Sequence, residues 1–591
     1  MARRGKETVM KKPKEPKKTL IRLLKYIADF KWILLVCIIL CFVSNILALY
    51  GPRLAGKAID AASAGAGKVN FEMVYFYAKR MLLFYVSSSV LTISINLLMM
   101  YVSKQIARKL RKDVFDKLTR LPVGFFDLNQ AGDIISRVSY DIDVIATCLG
   151  TDIVAIMTSL VTVVGSFVMM VSLSWQLSIV SLFTIPMAVF FTAQMRKITQ
   201  PKFAKRSRMY GEMNGFVEEM FSGQKSIVAY AYENKICKKF DAINEETSNA
   251  YYNAAYHSSK MGPMVGSINN IGLSLIAMFG SLLYMWNLIS LGNISSFVLY
   301  SRKFSGPINE VANITTEIFS ALSAAERVFS LLNEEEEVED REQAVELLKV
   351  TGDVEFKNVR FGYVKDKTII HNLDLKADAG KLIAIVGPTG AGKTTIINLL
   401  MRFYDVDDGQ IFVDEKDIRD YTRESLRKAY AMVLQDTWVF KGTIFENIAY
   451  GKENATMEEV IAAAKAAHIH SFIMRLPEGY QTVISEDGGN ISKGQKQLLT
   501  IARAMLYDSK MLILDEATSN VDTSTEREIQ RAMRELMKDK TCFVIAHRLS
   551  TIENADMILV VNEGDIVEMG THKSLMKQKG FYYKLYAAQF E

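Results

Sequence analysis

Long apolar stretches crowd the first half of this chain, and short ones punctuate the second. A membrane-spanning helix needs about 20 mostly apolar residues. Six stretches approach that pattern, at 32–50, 81–102, 153–173, 176–195, 264–286 and 294–322. The third and fourth are separated only by Ser174 and Trp175. The sixth is less apolar and carries Arg302, Lys303, Glu310 and Glu317. Charges that face lipid are costly. These residues are therefore expected to face a polar cavity, with Glu310 and Asn313 as cavity candidates, or the helix leaves the membrane near Arg302.

The connections between these stretches alternate. Those after the second and fourth are long, polar and basic, with Arg108, Lys109, Arg111 and Lys112 in one and Arg196, Lys197, Lys205 and Arg206 in the other. Those after the third and fifth are a few residues long. The excess of Lys and Arg puts the N-terminus and both long connections in the cytoplasm, and six crossings return the chain there. The long connections are helix-compatible and read as extensions of the spans. Two apolar patches interrupt them, at 121–127 and 226–232. Such patches either dock on another surface or pack within the bundle. An acidic run at 334–342 then reads as a solvated linker.

The pattern changes in the second half. The apolar run 382–386 reads as a buried strand, and the run from Ile396 reads as a helix. Between them lie Gly387, Pro388, Thr389, Gly390, Ala391, Gly392, Lys393 and Thr394, which fit G-x-x-x-x-G-K-[ST], with Thr395 next. Glycines let the backbone wrap a phosphate chain with its N–H groups inward, and the helix presents its positive end to the same anion. Lys393 would reach the β- and γ-phosphates of ATP, and the Thr394 hydroxyl would hold Mg²⁺.

Composition agrees with this split. At 591 residues the chain exceeds one core, and it is 50% hydrophobic yet 23% charged, which implies a membrane part and a soluble part. A net charge of +6, without an aromatic-plus-basic motif, gives no sign of nucleic acid. Cys37, Cys41, Cys148, Cys237 and Cys542 are scattered and lack C-x-x-C spacing, so neither a zinc site nor a disulfide framework is expected, and Cys37 and Cys41 read as core. The basic N-terminal residues are not followed by the apolar core of a cleavable signal.

Further motifs follow the loop. Gln435 comes after an apolar run, Asp515 and Glu516 end the run that starts at Met511, Asp522 lies just beyond, and His547 ends the run that starts at Val544. Phe361, Gly362 and Tyr363 precede the loop. The run Ile491, Ser492, Lys493, Gly494, Gln495 resembles the signature of ABC ATPases, whose usual form is Leu-Ser-Gly-Gly-Gln. With it, the chain resembles an ABC transporter of the exporter type over essentially its whole length. The implied fold is an α-helical six-span transmembrane domain fused to an α/β P-loop ABC ATPase domain. Its expected parts are a basic N-terminus with an elbow helix (1–31), the transmembrane domain (32–325), an acidic linker (326–350) and the nucleotide-binding domain (351–591).

The resemblance also implies roles. Asp515 and Gln435 would contact Mg²⁺, Glu516 would act as general base on the attacking water, and His547 would touch the γ-phosphate. Tyr363 would stack on adenine, and Asp522 belongs to the D-loop. The two apolar patches would be coupling helices, the second docking on a partner's nucleotide domain. In this family Ser492, Lys493, Gly494 and Gln495 would close over ATP held by a second half-transporter. Lys493 departs from the usual glycine while Lys393, Asp515, Glu516 and His547 are intact. That combination resembles bacterial heterodimeric multidrug exporters with one competent and one degenerate site, so the expected partner is a different, related chain. A homodimer that tolerates Lys493 is the alternative. The implied activity is ATP-driven export of hydrophobic drugs or other amphipathic compounds across the cytoplasmic membrane. Lipid flipping, peptide export and an ATP-gated channel of the same architecture are the alternatives.

Overall fold

A computed structural model describes residues 15–63, 69–364, 367–435, 437–485, 488–515, 522–546 and 548–590. The chain divides into two compact units, Met1–Arg120 with Asn129–Glu335, and Leu121–Leu128 with Glu336–Glu591.

The first unit is built of helices. A short helix, Pro16–Ala28, buries Thr19 and Leu23 and precedes the long ones. These are Lys31–Ala62, Phe71–Leu118, Ile153–Leu173, Trp175–Ser222, Glu233–Ser259, Met261–Met285 and Leu291–Leu332. At 1.5 Å per residue, the 48 residues of Phe71–Leu118 extend about 70 Å, more than twice the hydrocarbon thickness of a bilayer. The polar connections are thus continuations of the spans. Ser174 breaks the backbone into an extended conformation and caps the next helix by accepting from the Leu177 amide, which is how two spans adjoin with almost no loop. Four helical stretches among the described residues are long and apolar enough to cross a membrane: Lys31–Ala62, Phe71–Leu118, Ala131–Leu173 and Glu233–Met285. The expected spans 176–195 and 294–322 lie within the helices Trp175–Ser222 and Leu291–Leu332.

One expectation changes here. The last helix does not yield to a linker at 326 but continues to Leu332. Ala321, Ala324, Ala325, Val328 and Leu331 form one buried stripe at helical spacing, and that stripe carries the helix on. Lys303 was expected to face a cavity or lie beyond the hydrocarbon. Its Nζ donates to the Ala48 carbonyl at 2.8 Å. Pro52, inside the helix Lys31–Ala62, has no N–H to give the carbonyl four residues earlier, so the lysine fills a place that proline left open. Glu310 is exposed and accepts from Ser159 Oγ at 3.2 Å, while the side chain of Asn313 lies outside the described residues. Cys37 and Cys41 pack with Ile95, Met99 and Val154.

Among its described residues the second unit holds twelve strands: β1 (Val354–Phe361), β2 (Ile370–Ala377), β3 (Leu382–Val386), β4 (Asp408–Val413), β5 (Lys416–Asp417), β6 (Tyr430–Val433), β7 (Gly442–Thr443), β8 (Val483–Ile484), β9 (Met511–Asp515), β10 (Thr541–Ile545), β11 (Met557–Asn562) and β12 (Asp565–Gly570). A four-stranded antiparallel sheet has the order β2-β1-β4-β5. A six-stranded sheet has the order β12-β11-β3-β10-β9-β6, parallel from β11 to β6. Strands β3, β9 and β10 are near-continuous runs of Ile, Leu, Val and Phe, as strands covered on both faces must be. Because these strands run the same way, the segments after β3, β6, β9 and β10 all leave from one edge of the sheet, where ligands bind in open α/β sheets.

Candidate nucleotide-binding site

The turn after β3 is shaped by its glycines. A Cβ on Gly387 would stand 2.1 Å from the Val561 carbonyl oxygen, so only glycine fits beside β11. Gly392 takes φ +105° and caps the helix Lys393–Leu400. Pro388, Thr389, Gly390 and Thr394 are exposed, whereas Ala391 and Thr395 are buried. Lys393 opens the helix and folds back across the turn, donating from Nζ to the Gly387 carbonyl at 2.8 Å and the Pro388 carbonyl at 2.9 Å. Burial lowers its pKa from the ordinary lysine value, and the Asp515 charge works against that. Asp515 ends β9 and pairs in register with Ile545 on β10. Gln435 is exposed, two residues beyond β6. Glu516 and His547 lie outside the described residues.

Tyr363 stands over the same helix. Its hydroxyl donates to Thr395 Oγ1 at 3.2 Å and accepts from Asn398 Nδ2 at 3.1 Å. Tyr363 is 43% exposed. The ring meets Phe361 and Tyr404 edge-on, with centroids 5.0 and 4.9 Å away.

The signature segment forms a helix start of a different kind. Ser492 caps the helix Lys493–Tyr507, its hydroxyl accepting from the Gln495 amide at 3.2 Å while the Gln495 side chain accepts from the Ser492 amide at 2.9 Å. Ser492 and Lys493 are exposed and Gly494 is buried. Lys493 thus sets a cation at the positive end of a helix, which favours an anion nearby. This helix packs in a core with Ile444, Ile448 and Val460, whereas Ile396 and Ile397 of the helix after the phosphate loop belong to a second core. Asp522 caps the helix Thr523–Met537, and the Thr525 amide holds its carboxyl below the usual range.

Three features were not read from the sequence. Tyr404 donates to Asp127 of the short helix Val123–Leu128 at 2.5 Å. Arg402 and Arg423, both buried, engage Asp340 and Asp405 and seat the linker. Trp438, Phe440 and Tyr450 form an aromatic cluster, with the Arg503 guanidinium 5.7 Å from the Trp438 ring and 5.2 Å from the Tyr450 ring. The sequence signal for this cluster was the aromatic spacing just after Gln435.

Two family models match the chain, the ABC transporter transmembrane region over residues 34–308 and the ABC transporter domain over residues 370–519. The chain is 42% identical to the uncharacterized ABC transporter ATP-binding protein YfiC of Bacillus subtilis (strain 168), over 98% of this chain and 96% of that protein. It is 45% identical to a fatty acid ABC transporter ATP-binding/permease protein of Mycobacterium bovis, over 83% of this chain and 77% of that one. The structure of a bacterial Atm1-family ABC exporter with ATP bound superimposes with a TM-score of 0.75 at 29% identity, covering 95% of this chain and 99% of the other.

Proposed function

Because the chain belongs to the ABC transporters, with a transmembrane region and an ATP-binding domain of that family in one polypeptide, we propose that it is one half of a dimeric pump that exports amphipathic compounds across the cytoplasmic membrane by alternating access. It is an exporter half-transporter and an integral membrane protein, and its ATPase domain couples hydrolysis to transport. The observation that carries the ATP reading is the Gly387–Lys393 turn, where a strand end, a helix start and a lysine converge on a cradle that admits no Cβ beside Val561.

Each residue has a role in this proposal. Lys393 and the turn amides hold the β- and γ-phosphates, and Tyr363 stacks on adenine. Thr394, Asp515 and Gln435 are hard oxygen donors of the type that suits Mg²⁺, whose charge offsets that of the phosphates when bound. Glu516 takes a proton from the attacking water, and His547 contacts the γ-phosphate. Ser492, Lys493, Gly494, Gln495 and Asp522 face the ATP held by the partner. ATP draws two nucleotide domains together because it binds the closed arrangement better, and hydrolysis reverses this. The altered signature at Lys493 supports a different, related partner chain, whose ordinary signature completes the site on this one.

The Mycobacterium bovis relative named for fatty acids supports an amphipathic substrate. The test is ATP-dependent accumulation in inverted membrane vesicles, with a fluorescent fatty acid in one arm and a hydrophobic cationic dye in the other. Accumulation against a gradient in either arm supports the pump. Equilibration that ATP only gates would make the protein a channel.

A further inference from the structure

A cleft of about 460 Å³ opens in the second unit, between the six-stranded sheet, the helix Thr523–Met537 and the short helix Leu549–Glu553. Its inner wall is apolar. Leu514, Val544 and Met533 there are buried, and Leu382 and Met537 are half-buried. A wall of this kind left open to water forfeits both burial and contacts, which a hydrocarbon would supply. The volume falls within the ordinary range of small-molecule sites.

The exposed end of the cleft lies away from the nucleotide turn. Gly380 precedes β3, Lys540 precedes β10 and Asp556 precedes β11, whereas the segments after β3 and β10 leave from the other edge of the sheet. No residue of the Gly387–Thr394 turn or of the signature segment lines it.

The charges at that end do not cancel. The Asp556 carboxylate is already engaged, accepting from Lys381 Nζ at 3.2 Å and from the Leu382 amide at 2.9 Å. Lys540 is paired with Asp508 at 3.2 Å. Arg534 and Lys538 also line the cleft, are exposed, and have no ion-pair partner among the described residues. Two uncommitted cations therefore stand at the mouth of an apolar cleft. They repel a cationic head and give an uncharged one little advantage over water. A carboxylate gains most, since a guanidinium can meet it with two parallel N–H groups while its tail covers the wall.

We propose that this cleft binds a single-chain amphiphilic carboxylate, with its tail against Met533, Met537 and Val544 and its head on Arg534 and Lys538. The site belongs wholly to the second unit, so it does not depend on what the spans carry.

The test is photolabelling of the full-length chain in lipid nanodiscs. The probe is a dodecanoate with a diazirine near its chain end, and adducts are mapped by peptide mass spectrometry. Labelling is expected within 530–540 or 551–556, and excess unlabelled dodecanoate should lower it by about fivefold or more. Dodecanol and dodecyltrimethylammonium at the same concentration should each lower it by less than about twofold. In the double variant Arg534→Ala, Lys538→Ala, labelling of the cleft should fall by about fivefold or more while labelling of 32–322 stays within about twofold. Labelling confined to 32–322 overturns the proposal. So does cleft labelling that dodecanol displaces equally well, or that survives unchanged in the double variant. If the double variant does not fold, Met537→Trp, which fills the cleft, decides alone, and unchanged labelling there overturns the proposal.

Discussion

Lys393 lies across its own turn with its ammonium on two backbone carbonyls. An arriving phosphate therefore replaces two weak acceptors with stronger, charged ones. On the proposed chemistry, Glu516→Gln should lower ATP turnover by about a hundredfold or more while TNP-ATP still binds. Normal turnover in that variant removes the general-base assignment. Asp417 makes a different prediction. Burial alone would push its carboxyl up, but the Arg419 guanidinium and amide and the Gln410 side chain outweigh burial and hold it below the usual range. A carboxyl whose folded pKa is depressed adds stability above its unfolded pKa and loses it as pH falls through the folded one. Asp417→Asn should cost the second unit about 3 kcal/mol at pH 7. The part of that gap carried by the carboxylate charge should shrink as pH falls from about 4 through the folded pKa, as thermal midpoints of both proteins at several pH values will read. The glycine turn was legible in sequence because its backbone demands are local. Tyr404 was not, since its acceptor lies 277 residues away along the chain.

At the scale of elements, apolar length predicted the helices well and their polar continuations too. Their ends were less legible. The final helix passes 326 because its buried stripe continues under an increasingly polar sequence, and only packing reveals which face is covered. Lys303 is the sharper case. In sequence it was a charge in a span, and in the fold it completes a helix that Pro52 interrupts. Lys303→Met should destabilise the membrane unit by about 1 kcal/mol. Adding Pro52→Ala should recover much of that loss, because the new N–H can reach the Ala48 carbonyl. Thermal midpoints of the two single variants and the double variant, in detergent, give the comparison. Equal losses from Lys303→Met with and without Pro52 would show that the lysine does something else.

At the scale of the whole molecule, the proposed asymmetry predicts that this chain purified alone turns ATP over at less than about a tenth of the rate of the co-purified pair, because its own Lys493 would replace the ordinary signature donor. Robust turnover from a stable homodimer would remove the heterodimer proposal. By itself the sequence determined the class of the molecule. Apolar runs of spanning length, the basic bias of alternate connections and the spacing of Gly387 through Thr394 are each set by neighbours along the chain. Tertiary structure alone decided that the segments after β3, β6, β9 and β10 leave one sheet edge. It also decided that Lys303 serves Pro52, and that Tyr404 stands between Tyr363 and Asp127. The physical reason is the same in each case. A short-range pattern fixes which backbone and which solvent a segment prefers, whereas the partner of a buried polar or aromatic group is whatever the packed chain brings to it.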